Sequence, residues 1–114
     1  MAYLILLLNI LFLVAGQLVW KMGLHQQGGM HLNNMLTVMF SPLVLLGISF
    51  YGIATILWLF VLSRLPLSLA YPMQSLAYVI GIIAAWSIFG ETVPLNRWIG
   101  TGIILIGVVI IGMK

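Results

Sequence analysis

Four apolar stretches in the sequence are each long enough to cross a lipid bilayer. A membrane-spanning helix needs about 20 mostly apolar residues, and the stretches are residues 3–22, 42–63, 67–89 and 95–113. Residues 31–40 form a shorter apolar stretch, which predicts an interfacial segment or an N-terminal extension of the second span. Because the connections are short, the sequence predicts an all-α integral membrane protein with a single four-span domain, residues 1–114.

The charge content supports a membrane protein and excludes several other classes. Charged residues are 4% of the 114 and hydrophobic residues 64%, whereas a soluble domain carries about 25% charged residues. Cysteine and Asp are absent, which excludes disulfides, thiolate metal sites and paired-carboxylate catalysis within one chain. We therefore expect no enzymatic activity, no cofactor and no metal site. The basic residues are dispersed without a basic run, so nucleic acid is not an expected partner.

The basic side chains do not define an orientation in the membrane. Lys and Arg prefer the cytoplasmic side; with four spans, Arg64 and Lys114 share one side, while Lys21 and Arg97 share the other. Two explanations stay open. One is that the charge signal from such short loops is noisy. The other is that the chain inserts in both orientations, or pairs with an oppositely oriented partner.

Polar and aromatic residues form a stripe on each of the first three spans. Such residues are costly in lipid and usually face a cavity or a partner helix. Helical spacing aligns them on one face of each span, with Pro72 expected to kink the beginning of the third. The sequence therefore predicts a polar cavity lined by Asn9, Gln17, Tyr51, Thr55, Trp58, Tyr71, Gln74, Ser75 and Tyr78.

Three charged residues are candidates for ligand contacts. Lys21 lies one turn from Gln17, so it either contacts an anion or extends to the membrane interface. Arg64 follows the face of Trp58 and is either an interfacial anchor or a phosphate contact. Glu91 lies in a turn, where it has a local structural role, pairs with Arg97 or meets a cationic group of a substrate.

Glycine spacing suggests where helices pack. In membranes, helices associate through small residues that allow close approach. Gly100 and Gly107 are seven residues apart on one face of the fourth span, which favours a dimer contact. Ala77, Gly81 and Ala85 form a similar ridge on the third span, for packing within one chain or between two.

Several strings resemble one family of small membrane proteins, the subunits of the aminoarabinose-phosphoundecaprenol flippase. The likeness covers nearly the whole chain except residues 25–40. Its specific part is Val14-Ala15-Gly16-Gln17-Leu18 with Lys21, and Ala70-Tyr71-Pro72-Met73. Further matches are Leu57-Trp58-Leu59, Glu91 before Val93, Trp98 with Gly100, and Gly107-Val108-Val109-Ile110-Ile111-Gly112.

The resemblance implies a fold, a function and partners. These subunits belong to the drug/metabolite transporter superfamily (EamA-like) and are similar to small multidrug resistance exporters. The implied function is transfer of a polyprenyl-phosphate-linked monosaccharide across the bacterial plasma (inner) membrane. The implied partner is a second four-span chain, in a homodimer or heterodimer that is expected to be antiparallel. In that setting, Lys21 and Arg64 are the expected phosphate contacts, and the cavity residues would hold the sugar.

Two departures from these relatives keep alternatives open. Small multidrug exporters carry a glutamate in the first span and an aromatic residue after the Ala-Tyr of the third, where this chain has Leu13 and Gln74. Arg64 stands where the flippase subunits tend to be uncharged, so the sugar could be anionic, neutral or cationic. The alternatives are a multidrug-type exporter of cations and a non-transporting membrane assembly subunit.

Overall fold

The computed structural model describes residues 1–113, and all regular structure in this range is helical. Lys114, which the orientation argument counts, lies outside the described residues. The helical segments are α1 (Ala2–Gln26), α2 (Met35–Met39), α3 (Pro42–Leu62), α4 (Leu67–Met73), α5 (Leu76–Ile88) and α6 (Leu95–Gly112).

Four helices are long and apolar enough to span a membrane, which confirms that part of the predicted fold class. They are Ala2–Gln26, Pro42–Leu62, Leu67–Ile88 (α4 and α5 together) and Leu95–Gly112. In an apolar 18-residue stretch of α1, 28% of the residues are buried, whereas in the corresponding stretch of α6 only 6% are buried. The first span is thus the centre of the bundle, and the last lies at its periphery.

The short helix α2 is separate from α3. Phe40 and Ser41 lie between the two helices. Pro42 is the first residue of α3, where its missing N–H is not needed. The side chains of Leu36 and Phe40 are exposed.

The helices α1 and α3 run antiparallel and pack closely. Phe12 contacts Phe50 with ring centroids 5.8 Å apart, and a Cβ added to Gly16 would lie 2.6 Å from the ring of Tyr51. A Cβ added to Gly23 would lie 3.0 Å from the Cβ of Leu43. Because glycine leaves no side chain in the interface, the two backbones approach more closely than larger residues permit.

The third span is interrupted between α4 and α5. The amides of Ala77 and Tyr78 donate hydrogen bonds to the carbonyls of Gln74 and Ser75, three residues back rather than four. This local tightening to a 3₁₀ pattern follows Pro72, which has no N–H and crowds the preceding turn. The interruption lies about a third of the way along the span.

An apolar core lies at one end of the bundle. Its buried members are Leu6, Ile10, Val14, Val61 and Ala70, from α1, α3 and α4. We call this end the Ala2 end, because α1 begins there and α3 ends there. The other end, where α1 ends and α3 begins, is the Lys21 end.

Candidate functional site

A groove of about 1040 Å³ lies between α3 and the third span, with α1 as its base. One wall is α3 and the other is α4 and α5, while α6 contributes no residue to its lining. The apolar part of the lining includes Leu13, Leu18, Ala54, Gly81 and Phe89.

The structure brings the predicted cavity residues together in this one groove. Its lining includes Asn9, Gln17, Tyr51, Thr55, Trp58, Tyr71, Gln74, Ser75 and Tyr78, and also Lys21 and Glu91. The position of these side chains is therefore a property of the fold, and their roles toward a ligand stay predictions.

Three amide and carbonyl groups form the deep end of the groove. Asn9 is 1% exposed, and its side-chain amide donates a hydrogen bond to the carbonyl of Ala54 at 2.7 Å. The side-chain amide of Gln74 donates to Oδ1 of Asn9 at 2.9 Å. A buried amide without partners is costly, so these two bonds explain how Asn9 is accommodated in the apolar interior.

A second polar group lies nearer the Lys21 end. The side-chain amide of Gln17 donates a hydrogen bond to the hydroxyl of Tyr51. Trp20 stacks on the ring of Tyr51, which fixes the phenol and thereby orients Gln17. Both Gln17 and Thr55 remain exposed toward the groove.

Aromatic side chains border the groove and leave it uncovered on one side. The rings of Trp58 and Tyr71 are in contact across the two walls, with centroids 6.2 Å apart. Tyr71 and Tyr78 line the groove yet are 64% and 70% exposed. Since no element of the described chain covers these rings, the groove is open to its surroundings on the side away from α1.

One cation and one anion lie along the groove, and no ion pair joins them. Lys21 and Glu91 both line it, and both side chains are exposed. Arg97 does not line the groove, and the pairing with Glu91 that the sequence allowed is not formed in the described residues.

Arg64 lies away from the groove. It follows α3 at the Ala2 end and is exposed, and it is not part of the lining. The antiparallel pairing of α1 and α3 separates it from the level of Lys21 by roughly 30 Å, at about 1.5 Å per residue. The structure therefore does not bring Lys21 and Arg64 together on one phosphate.

The glycines predicted for helix packing have free space. A Cβ added to Gly81, Gly100 or Gly107 would meet no atom within 4 Å. The ridge of Ala77, Gly81 and Ala85 lines the groove, where Ala77 also packs against the apolar core and Gly81 leaves free space. The four-residue spacing of these small residues shows that they share one face of the helix. Sequence alone does not show whether that face packs against a helix or lines a cavity.

A metal centre is not formed within residues 1–113, because no three His, Cys, Asp or Glu side chains approach one another closely enough. His25 lies in the last turn of α1, and His31 lies in the loop that follows. The chemistry of the groove is thus hydrogen bonding, aromatic contact and two separate charges.

Comparison with known proteins identifies the family. The model of the EamA-like transporter family matches residues 1–113. The chain belongs to the EamA-like transporter family. The predicted superfamily is thereby confirmed, and the family indicates transport across a membrane rather than catalysis.

Curated relatives agree with the resemblance found in the sequence. The chain is 48% identical over 61 residues to the probable 4-amino-4-deoxy-L-arabinose-phosphoundecaprenol flippase subunit ArnE of Salmonella paratyphi B, Salmonella newport and Salmonella typhimurium. The match covers 54% of this chain and 55% of each relative, so the chain spans about half the length of the curated relatives it matches. No solved structure matches it significantly.

Proposed function

We propose that this EamA-like transporter is a subunit of a flippase that moves a polyprenyl-phosphate-linked monosaccharide across the bacterial plasma membrane. The observation that carries the proposal is the groove, which combines one cation with many hydrogen-bonding side chains and is open on one side. The names of the relatives support the same class of cargo.

The head group would lie along the groove with its phosphate at Lys21. An ammonium group forms charge-assisted hydrogen bonds with phosphate oxygens, which are stronger than neutral ones. The sugar hydroxyls, which both donate and accept, would bond to Gln17, Tyr51, Thr55, Gln74 and Ser75, and Trp58, Tyr71 and Tyr78 would contact the ring faces. Asn9 would bond a group that reaches the deep end.

Glu91 extends the proposal to a zwitterionic head group. It is the sole acid in the sequence, and it lies along the same groove as Lys21 without an ion pair. A sugar that carries an amine would place its positive charge near Glu91 while its phosphate meets Lys21. This arrangement suits an amino sugar such as the one in the relatives' names.

The prenyl tail would remain in lipid during transfer. Only the polar head group needs a polar path, since the bilayer interior already solvates a hydrocarbon chain. The uncovered side of the groove, bordered by Tyr71 and Tyr78, would let the tail lie between this chain and the membrane.

A second four-span chain, identical or similar and oppositely oriented, would cover part of the open groove. We propose Gly100 and Gly107 as its contact surface, because they leave α6 room for a close neighbour. Arg64, at the Ala2 end, would meet the phosphate in the other leaflet, so it and Lys21 would act at different stages.

Reconstitution in liposomes tests the proposed function. Undecaprenyl-phosphate-linked 4-amino-4-deoxy-L-arabinose is placed in one leaflet, and its movement is followed with and without candidate partner subunits. We expect faster movement with the protein, and a rate at least about tenfold lower for Lys21→Gln, given the strength of hydrogen bonds to charged groups. Arg97→Gln is the matched control, since it removes a cation outside the groove.

Two results would contradict the proposal. If the lipid moves no faster with the protein than without it, both alone and with every partner tested, a role as a non-transporting assembly subunit would be favoured. Export of lipophilic cations that depends on Glu91 would favour the multidrug class, although Leu13 lines the groove where that class has its acid.

A further inference from the structure

The hydrogen bond between Gln74 and Asn9 lies at the boundary between the groove and the apolar core. Both residues line the groove, and beyond them toward the Ala2 end come Leu6, Val61 and Ala70, each at most 2% exposed. Along the base of the groove, these two amides are therefore the last polar groups before the apolar core, while Trp58 and Tyr71 continue the walls toward the Ala2 end.

This bond also joins two parts of the molecule that otherwise meet through apolar and aromatic contacts. Asn9 belongs to the close pair α1 and α3, while Gln74 lies at the interruption between α4 and α5. Within residues 1–113 it is the only side-chain hydrogen bond between that helix pair and the third span. Opening it would remove this polar connection at a point where the helix is already interrupted, and would leave apolar and aromatic contacts between α4 and the helix pair.

A polar ligand could replace this hydrogen bond. Oδ1 of Asn9 accepts from Gln74, and its amide donates to Ala54, so both functions are satisfied without a ligand. A sugar hydroxyl is a donor that would replace Gln74 at Oδ1 and an acceptor for the released Gln74 amide. Without such a ligand, opening would leave Oδ1 buried and unpaired, which is unfavourable.

We infer that the Gln74–Asn9 bond is a gate at the Ala2 end of the groove, opened by a polar head group that takes its place. The inference rests on the proposed function for the identity of the head group. A ligand shifts such an equilibrium only through contacts that differ between the two states, and the exchange of hydrogen bonds at Asn9 supplies that difference.

Labelling of a buried cysteine tests the gate without any transport assay. The chain has no native Cys, and Val61 is 0% exposed in the core beyond the gate. Val61→Cys, reconstituted as the full chain, reports access from the Ala2 end to a membrane-impermeant maleimide. Ala70→Cys, also 0% exposed, is a second reporter on the opposite wall.

The two gate residues should have opposite effects on labelling. Gln74→Leu leaves Oδ1 of Asn9 unpaired in the closed state, so we expect labelling to rise about tenfold. Asn9→Leu removes the buried polar group itself, so labelling should stay at or below the parent rate. Trp20→Phe, which removes a bond between α1 and α3 alone, is the matched control and should leave labelling unchanged.

A final arm adds undecaprenyl-phosphate-linked 4-amino-4-deoxy-L-arabinose. We expect it to raise labelling in the parent and not in Asn9→Leu. The gate would be overturned if labelling without lipid rose equally in Gln74→Leu, Asn9→Leu and Trp20→Phe, or did not rise in Gln74→Leu. Either result would overturn it even if the lipid is transported. Opposite effects of Gln74→Leu and Asn9→Leu would support the gate even if this lipid is not transported, in which case only the proposed cargo fails.

Discussion

The indole ring of Trp20 stacks on the phenol ring of Tyr51, with centroids 4.4 Å apart and ring planes at 14°. The indole N–H also donates a hydrogen bond to the carbonyl of Val44 at 3.0 Å. Gly47 makes this arrangement possible, because a Cβ at that position would overlap the indole. The contact fixes α1 against α3 near the residues that line the groove.

Gly47→Ala should therefore destabilise the bundle. The added methyl group cannot fit without displacing Trp20, and overpacking of this kind costs roughly 1–3 kcal/mol. We expect a lower midpoint of thermal unfolding in detergent, measured by loss of the monodisperse peak after heating.

Gly52→Ala is the matched control for this substitution. Gly52 lies on the same helix, but a Cβ there would meet no atom within 4 Å. Alanine favours a helix over glycine by up to about 1 kcal/mol, so this variant should be unchanged or slightly more stable. Equal destabilisation by both substitutions would contradict the proposed importance of the Trp20 contact.

The sequence was sufficient to predict the spans and the faces that line the groove. Four apolar stretches of helical length have few alternatives in a chain with so little charge. The spacing of Gln17, Tyr51 and Gln74 within their own helices fixes which residues share a face. The alternation of spans also places Lys21 and Arg64 on opposite sides of the membrane.

What the sequence could not predict depends on contacts between helices. The fit of Gly47 against Trp20 requires the register of α1 on α3, which no periodicity within one helix reveals. The bond between Gln74 and Asn9 joins residues 65 positions apart. Ala77, Gly81 and Ala85 have the spacing of a packing ridge, and only the direction of α5 assigns them to the groove.

Glu91→Gln should change which sugars are transported. The substitution removes the negative charge of the groove while retaining its size and hydrogen-bonding capacity. If Glu91 binds a substrate amine, movement of an amino-sugar lipid should slow by about tenfold, since hydrogen bonds to charged groups contribute about 1.5–3 kcal/mol. A lipid with the corresponding neutral sugar should move at the parent rate. Equal slowing of both lipids would instead indicate a structural role for Glu91.

Gly107→Leu should weaken the proposed pairing of two chains. Gly107 has free space on α6, and a large side chain would prevent close approach of a partner helix. We expect a smaller dimer fraction, measured by chemical cross-linking in native membranes. Gly102→Leu is the matched control, because Gly102 also has free space but lies on a different face of the helix from Gly100 and Gly107. An unchanged dimer fraction in Gly107→Leu would exclude this face as the contact.

Two substitutions at Tyr51 should separate its packing from its polar role. Tyr51→Phe retains the ring that stacks on Trp20 but removes the hydroxyl that accepts a hydrogen bond from Gln17. Tyr51→Leu removes both. We therefore expect the thermal stability of Tyr51→Phe to remain within about 1 kcal/mol of the parent, and that of Tyr51→Leu to fall further.

Transport should respond differently from stability in these variants. In Tyr51→Phe the amide of Gln17 loses its fixed direction, so a head group would have to order it on binding. Ordering one such side chain costs about 0.5–1.5 kcal/mol, which corresponds to a rate lower by roughly threefold to tenfold. Transport by Tyr51→Phe at the parent rate, with unchanged stability, would mean that Tyr51 contributes only its ring and that Gln17 needs no orientation to act.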